Sequence, residues 1–94
     1  MLPIGSVLPL VSGIAFDFQK MVEKLFGKVL RQIREDKKMT QEKLAELAEV
    51  DRTYIWRLES GRRSPSLSMI FKLADAFKMT PGNLVDKVNK LRSS

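Results

Sequence analysis

The chain has 94 residues, 44% hydrophobic and 30% charged, the balance of a globular chain with a single core. It has no cysteine and no histidine, which removes disulfides, thiolate metal sites, the usual general base and the commonest metal ligand, and so disfavours enzymatic chemistry. The formal net charge is +6, and apart from Asp17 every charged residue lies at Lys20 or beyond, a distribution that favours a polyanionic partner.

Residues 1–19 read as an apolar N-terminal arm. Pro3, Gly5, Pro9 and Gly13 break it too often for a membrane helix, and it lacks the positive start and unbroken apolar run of a secretory signal, so a cytoplasmic protein is expected. An arm clasping a dimer partner and an incidental leader segment are both compatible with this composition. Residues 20–94 read as the folded domain. A chain of this length buries only about 60–65% of its unfolded surface, so dimerisation would help it.

From Val22 the apolar residues Leu25, Phe26, Val29, Leu30 and Ile33 recur at three- and four-residue spacing, with Lys24, Lys28, Arg31 and Arg34 on other faces; this predicts a first amphipathic helix ending in the charged run after Arg34. Thr40 is suited to cap a second helix bearing Leu44, Ala45, Leu47 and Ala48, and Asp51 a short third one with Ile55 and Leu58 inward and Gly61 as its C-cap. After a loop at Arg62–Pro65, Ser66 is placed to cap a fourth helix with Leu67, Ile70, Leu73, Ala74 and Phe77 on one side. Thr80 before Pro81 marks the start of a fifth, carrying Leu84, Val85, Val88 and Leu91. Five helices without a strand pattern predict an all-α fold, a compact orthogonal five-helix bundle.

The segment TQEKLAELAEVDRTYIWRLESG, from Thr40 to Gly61, sets two short helices about four residues apart, an arrangement that lets the second project into a major groove. With Arg31, Ile33 and Arg34 before it, Gln41, Leu44, Ala45, Ile55, Leu58, Glu59 and Gly61 within it, and Pro65, Ser66, Leu67 and Leu73–Ala76 after it, the chain resembles the Cro and phage-repressor-like (XRE-type) helix-turn-helix family from about Gly27 to Val85. The resemblance implies a lambda-repressor-like DNA-binding fold in which Gln41, Arg52, Thr53 and Arg57 face base edges, and Glu59 pairs with Arg34 or Arg31. An arginine can donate two hydrogen bonds to guanine, and Thr53 can meet a thymine methyl or a phosphate. Lys43, Tyr54, Arg62 and Arg63 lie where phosphate contacts would position the protein.

Two residues depart from the family pattern. Glu49 occupies a turn position usually held by glycine, where a left-handed backbone costs about 1 kcal/mol. Trp56 stands where a small polar residue is usual; packing on the apolar arm is favoured for it, with the DNA backbone or a dimer contact as alternatives.

These features together lead us to expect a homodimer that places its third helices in successive major grooves and binds a pseudo-palindromic double-stranded operator as a transcriptional repressor or controller. The fifth helix, through Leu84, Val88 and Leu91, is expected to supply the interface. A restriction-modification controller, a phage or transposon repressor and an antitoxin all fit, with no cofactor, metal or separate sensing domain expected. The alternative is a protein-interaction module on the same fold, docking through the arm and Trp56.

Overall fold

Asp17 opens the first helix: its carboxylate accepts from the Lys20 backbone N–H at 3.1 Å and its carbonyl accepts from Met21. In this computed structural model, which describes residues 17–94, the helix α1 therefore spans Phe18–Asp36, and Asp17, Phe18 and Gln19 belong to it rather than to the end of an arm. The arm proper, residues 1–16, and the dimer clasp expected of it lie outside the described residues.

The remaining helices are α2 (Gln41–Ala48), α3 (Arg52–Glu59), α4 (Leu67–Ala76) and α5 (Pro81–Ser93). Each begins at the predicted cap. The side chains of Thr40, Asp51, Ser66 and Thr80 accept from the N–H groups of Lys43, Thr53, Met69 and Asn83 at 2.9–3.1 Å. All regular structure among the described residues is helical, and no helix there is long and apolar enough to cross a membrane.

α1 packs on α3 and α5, α2 packs on α3 and α4, and α4 closes against α5. Phe26, Leu30, Leu44, Ile55, Leu58, Leu73, Phe77 and Leu84 meet in the core, each contributing roughly 1.5–3 kcal/mol by burial. Two expected core residues stand outside it. Leu47 lies on the flank of the Leu44, Ala45 and Ala48 stripe, and Leu67 is 71% exposed, one turn before the exposed Phe71 and beside the buried stripe of α4.

The position of α3 depends on Gly27. A Cβ there would sit 2.5 Å from the Leu58 carbonyl oxygen and 2.6 Å from that of Glu59, so the backbones of α1 and the end of α3 are in direct contact. Any side chain at this position would push α3 outward.

Four helices end in one way. Lys38, Glu49, Gly61 and Lys78 have φ of 56°, 60°, 75° and 58°, and the following N–H reaches back five residues to a carbonyl, as in Val50 to Ala45 at 2.9 Å and Arg62 to Arg57 at 2.9 Å. Gly61 thus sits one residue beyond the C-cap Ser60. Where the left-handed residue is not glycine, the next one, Met39, Val50 or Met79, packs against the core and holds the turn. Replacing Lys38, Glu49 and Lys78 together by glycine is expected to stabilise the fold by about 0.5–1 kcal/mol per site, as relief of backbone strain exceeds the added freedom of the unfolded chain. The midpoint of urea unfolding should rise accordingly.

Candidate nucleic-acid interface

Asp51 caps α3 in the extended backbone conformation, and Ile55 and Leu58 anchor the helix in the core, so its outward side is fixed. Arg52, Thr53, Trp56, Arg57 and Ser60 are exposed and recur at three- and four-residue spacing, which makes them one stripe. It contains no acidic residue. The loop after it returns two arginines to the helix: the Arg62 guanidinium lies over the Trp56 ring at 4.9 Å and that of Arg63 near the Tyr54 ring at 5.8 Å. Arg62 thus joins the stripe through Trp56, while Arg63 lies on the flank of α3 at Tyr54.

Behind the stripe runs a polar chain from the interior to the surface. Glu59 accepts from Arg34 Nε at 2.6 Å, from Arg34 Nη2 at 3.0 Å and from Gln41 Nε2 at 3.0 Å. Arg34 Nη1 donates to the Met39 carbonyl at 2.7 Å, and the two charged side chains are 11% and 5% exposed. The hydrogen bond from Glu59 raises the pKa of Arg34 above its ordinary value; burial acts in the opposite direction and is outweighed. Arg31, the other expected partner of Glu59, bonds Glu35 instead at 3.1 Å.

Gln41 passes the chain onward: its Oε1 accepts from Arg52 Nη1 at 3.0 Å. Arg52 Nε also lies 3.6 Å from Glu42, an exposed pair whose loss costs little. Arg52 is therefore held at the start of α3 by groups it can leave. Gln41, expected to face DNA directly, is half-buried, with one end of its amide bonded to Glu59 and the other to Arg52.

Of the other expected contacts, Thr53 and Arg57 are exposed on the stripe, Lys43 lies on α2 within 3.7 Å of Glu46, and Tyr54 is half-buried against the core. Glu49 is left-handed and exposed, as its place in the turn required. Trp56 is exposed on the stripe, and the arm on which it is expected to pack lies outside the described residues.

The dimer assignments need correction. Leu84 is 0% exposed and belongs to the protomer's own core, and Val88, 8% exposed, shows only an edge at the groove it lines with Val22 and Val85. Leu91 alone of the three is exposed, at a groove between α1 and α5 lined by Val29, Ile33 and Lys87. Apolar side chains are also exposed on α4 and α5, at Leu67, Phe71 and Val85, and Val85 lines a groove with Val22, Pro65 and Ile70.

Comparison with known proteins agrees with this geometry. The helix-turn-helix family profile matches residues 30–84. The chain is 44% identical over 66 residues to the control protein C.BamHI of Bacillus amyloliquefaciens, covering 69% of this chain and 82% of that one. It is 40% identical over 63 residues to the HTH-type transcriptional repressor RghR of Bacillus subtilis, covering 66% of this chain but only 47% of the repressor. The crystal structure of the restriction-modification controller C.AhdI of Aeromonas hydrophila superimposes with a TM-score of 0.64 at 42% identity, over 66% of this chain and 94% of that one. With the match running from α1 into α5, through α2 and the α3 helix that carries the basic stripe, the chain belongs to the helix-turn-helix family.

Proposed function

We propose that this protein is a sequence-specific DNA-binding transcriptional regulator of the controller type, which binds a pseudo-palindromic operator as a homodimer. The observation that carries this reading is the acid-free stripe of α3, with Arg52, Thr53 and Arg57 exposed beside Arg62 and Arg63. A helix fits the major groove, and guanidinium groups there can bond guanine O6 and N7 while their neighbours take phosphates. The likeness to C.BamHI and C.AhdI favours the restriction-modification setting over a phage repressor or an antitoxin. Such a regulator acts where the DNA is, in the cytoplasm and at the nucleoid.

Dimerisation is assigned to a second copy of the chain seated on Leu67, Phe71 and Val85. α4 carries one exposed base, Lys72, and one exposed acid, Asp75, and neither forms an ion pair within the described residues of the protomer. A two-fold contact would bring each to its opposite, Lys72 of one protomer against Asp75 of the partner subunit.

Selection of bound sequences from a random duplex library, at two salt concentrations, tests the reading. An inverted repeat with half-site centres about 34 Å apart is expected. Arg52→Ala should relax one position of each half-site, at a cost of about 1–3 kcal/mol per contact. Salt-sensitive binding with no enriched sequence would overturn the operator reading.

A further inference from the structure

Trp56 is the chain's one tryptophan, and it stands in the middle of the basic stripe, four residues after Arg52, three after Thr53 and directly before Arg57. It is 41% exposed, whereas Ile55 and Leu58 on either side of it in sequence are fully buried and complete the core without it. One side of the indole is occupied by the Arg62 guanidinium, 4.9 Å from the ring centroid, and this cation–π contact limits the rotamers open to the ring before any partner arrives. An exposed indole among arginines fits a partner that offers dense negative charge and, between the charges, an apolar group.

Duplex DNA meets that description at one kind of site. On the base edges of the major groove the apolar group is the C5 methyl of thymine. We propose that Trp56 is a specificity-determining residue that packs its indole on a thymine methyl in each half-site, with Arg62 stacked on the ring and free to meet an adjacent phosphate. This rests on the DNA-binding reading above and adds to it a base preference that the arginines do not supply. Arg52 and Arg57 select hydrogen-bond acceptors and are indifferent to the methyl; Trp56 selects the methyl and is indifferent to the acceptors.

The test uses the duplex enriched by the full-length protein, with each thymine in turn replaced by deoxyuridine in both half-sites. That change removes the methyl and keeps the hydrogen-bonding pattern. At one symmetric pair of thymines the unaltered protein should lose about fourfold per half-site, the value of one buried methyl, or roughly sixteenfold for the pair. Trp56→Ala should bind the parent duplex more weakly and show no further loss at that pair, while Trp56→Leu should keep part of the methyl effect. Circular dichroism establishes that the variants are folded, which the exposure of Trp56 favours. Emission of this one tryptophan should change as the enriched duplex is added.

Equal losses on deoxyuridine replacement in the unaltered protein and in Trp56→Ala at every thymine would overturn the proposal, as would undiminished binding of the parent duplex by Trp56→Ala. Either result leaves operator binding intact, because an enriched duplex is already in hand. Failure to enrich any duplex would remove the DNA reading itself, and this proposal with it.

Discussion

Glu59→Ala is expected to lower the free energy of unfolding by about 3–5 kcal/mol, because it leaves the largely buried Arg34 guanidinium without its carboxylate and unpairs the Gln41 amide as well. In a domain of this size each kcal/mol shifts the thermal midpoint by roughly 4–8 °C, so the loss should be plain in thermal unfolding. The cost comes from stranding a charge rather than from the worth of the pair. The double variant Arg34→Met with Glu59→Leu should therefore recover most of the stability, since well-packed apolar residues often replace a buried pair at no loss. It should not recover DNA affinity in full, because Gln41 would still lack the anchor through which it holds Arg52. Urea unfolding of the three proteins at one protein concentration, alongside DNA titration, separates the two effects. A Glu59→Ala protein as stable as the original would mean that the charge is solvated and the polar chain is not structural.

Phe71→Glu should have the largest effect on binding. Phe71 is 52% exposed, so the change removes no core contact, but it places a charge at the centre of the surface assigned to the second copy. Both α3 helices then act alone, and the gain from linking two half-sites, about 10²–10⁴ in affinity, is lost. The variant should sediment as a monomer, keep its helical spectrum and bind a half-site duplex about as well as the original. Val85→Glu should behave in the same way. Leu91→Glu, on the separate α1–α5 groove, should remain dimeric. If Leu91→Glu dissociates the dimer and Phe71→Glu does not, the interface lies along the end of α5.

Much of this protein could be read locally. Thr40, Asp51, Ser66 and Thr80 cap their helices within one residue of the chain, so their identity alone marked where α2 to α5 begin. The left-handed turn at Glu49 was legible through the resemblance, which usually has glycine at that position. The start of α1 was not read from the apolar pattern, which begins at Val22, because the deciding group was the carboxylate of Asp17 one turn earlier.

Where errors arose, the deciding contact joined residues far apart in the chain. Leu84 and Val88 share the helical spacing of Leu91, and periodicity cannot say which of them another helix of the same protomer will cover; α1 and α4 cover the first two. The alternation of Arg34 and Arg31 as partners of Glu59 was settled by α1 lying on α3 at Gly27, a glycine whose importance rests entirely on carbonyl oxygens more than thirty residues away. The resemblance implies a DNA-facing role for Gln41, and only the approach of α3 shows that its amide also joins Glu59 to Arg52. The sequence by itself thus determined the helices, their caps and the basic character of α3, all of which depend on neighbours within a turn or two. The tertiary structure alone decided which outward faces remain free, because a side chain is available to DNA or to a second copy only if no distant segment of its own chain has buried it first.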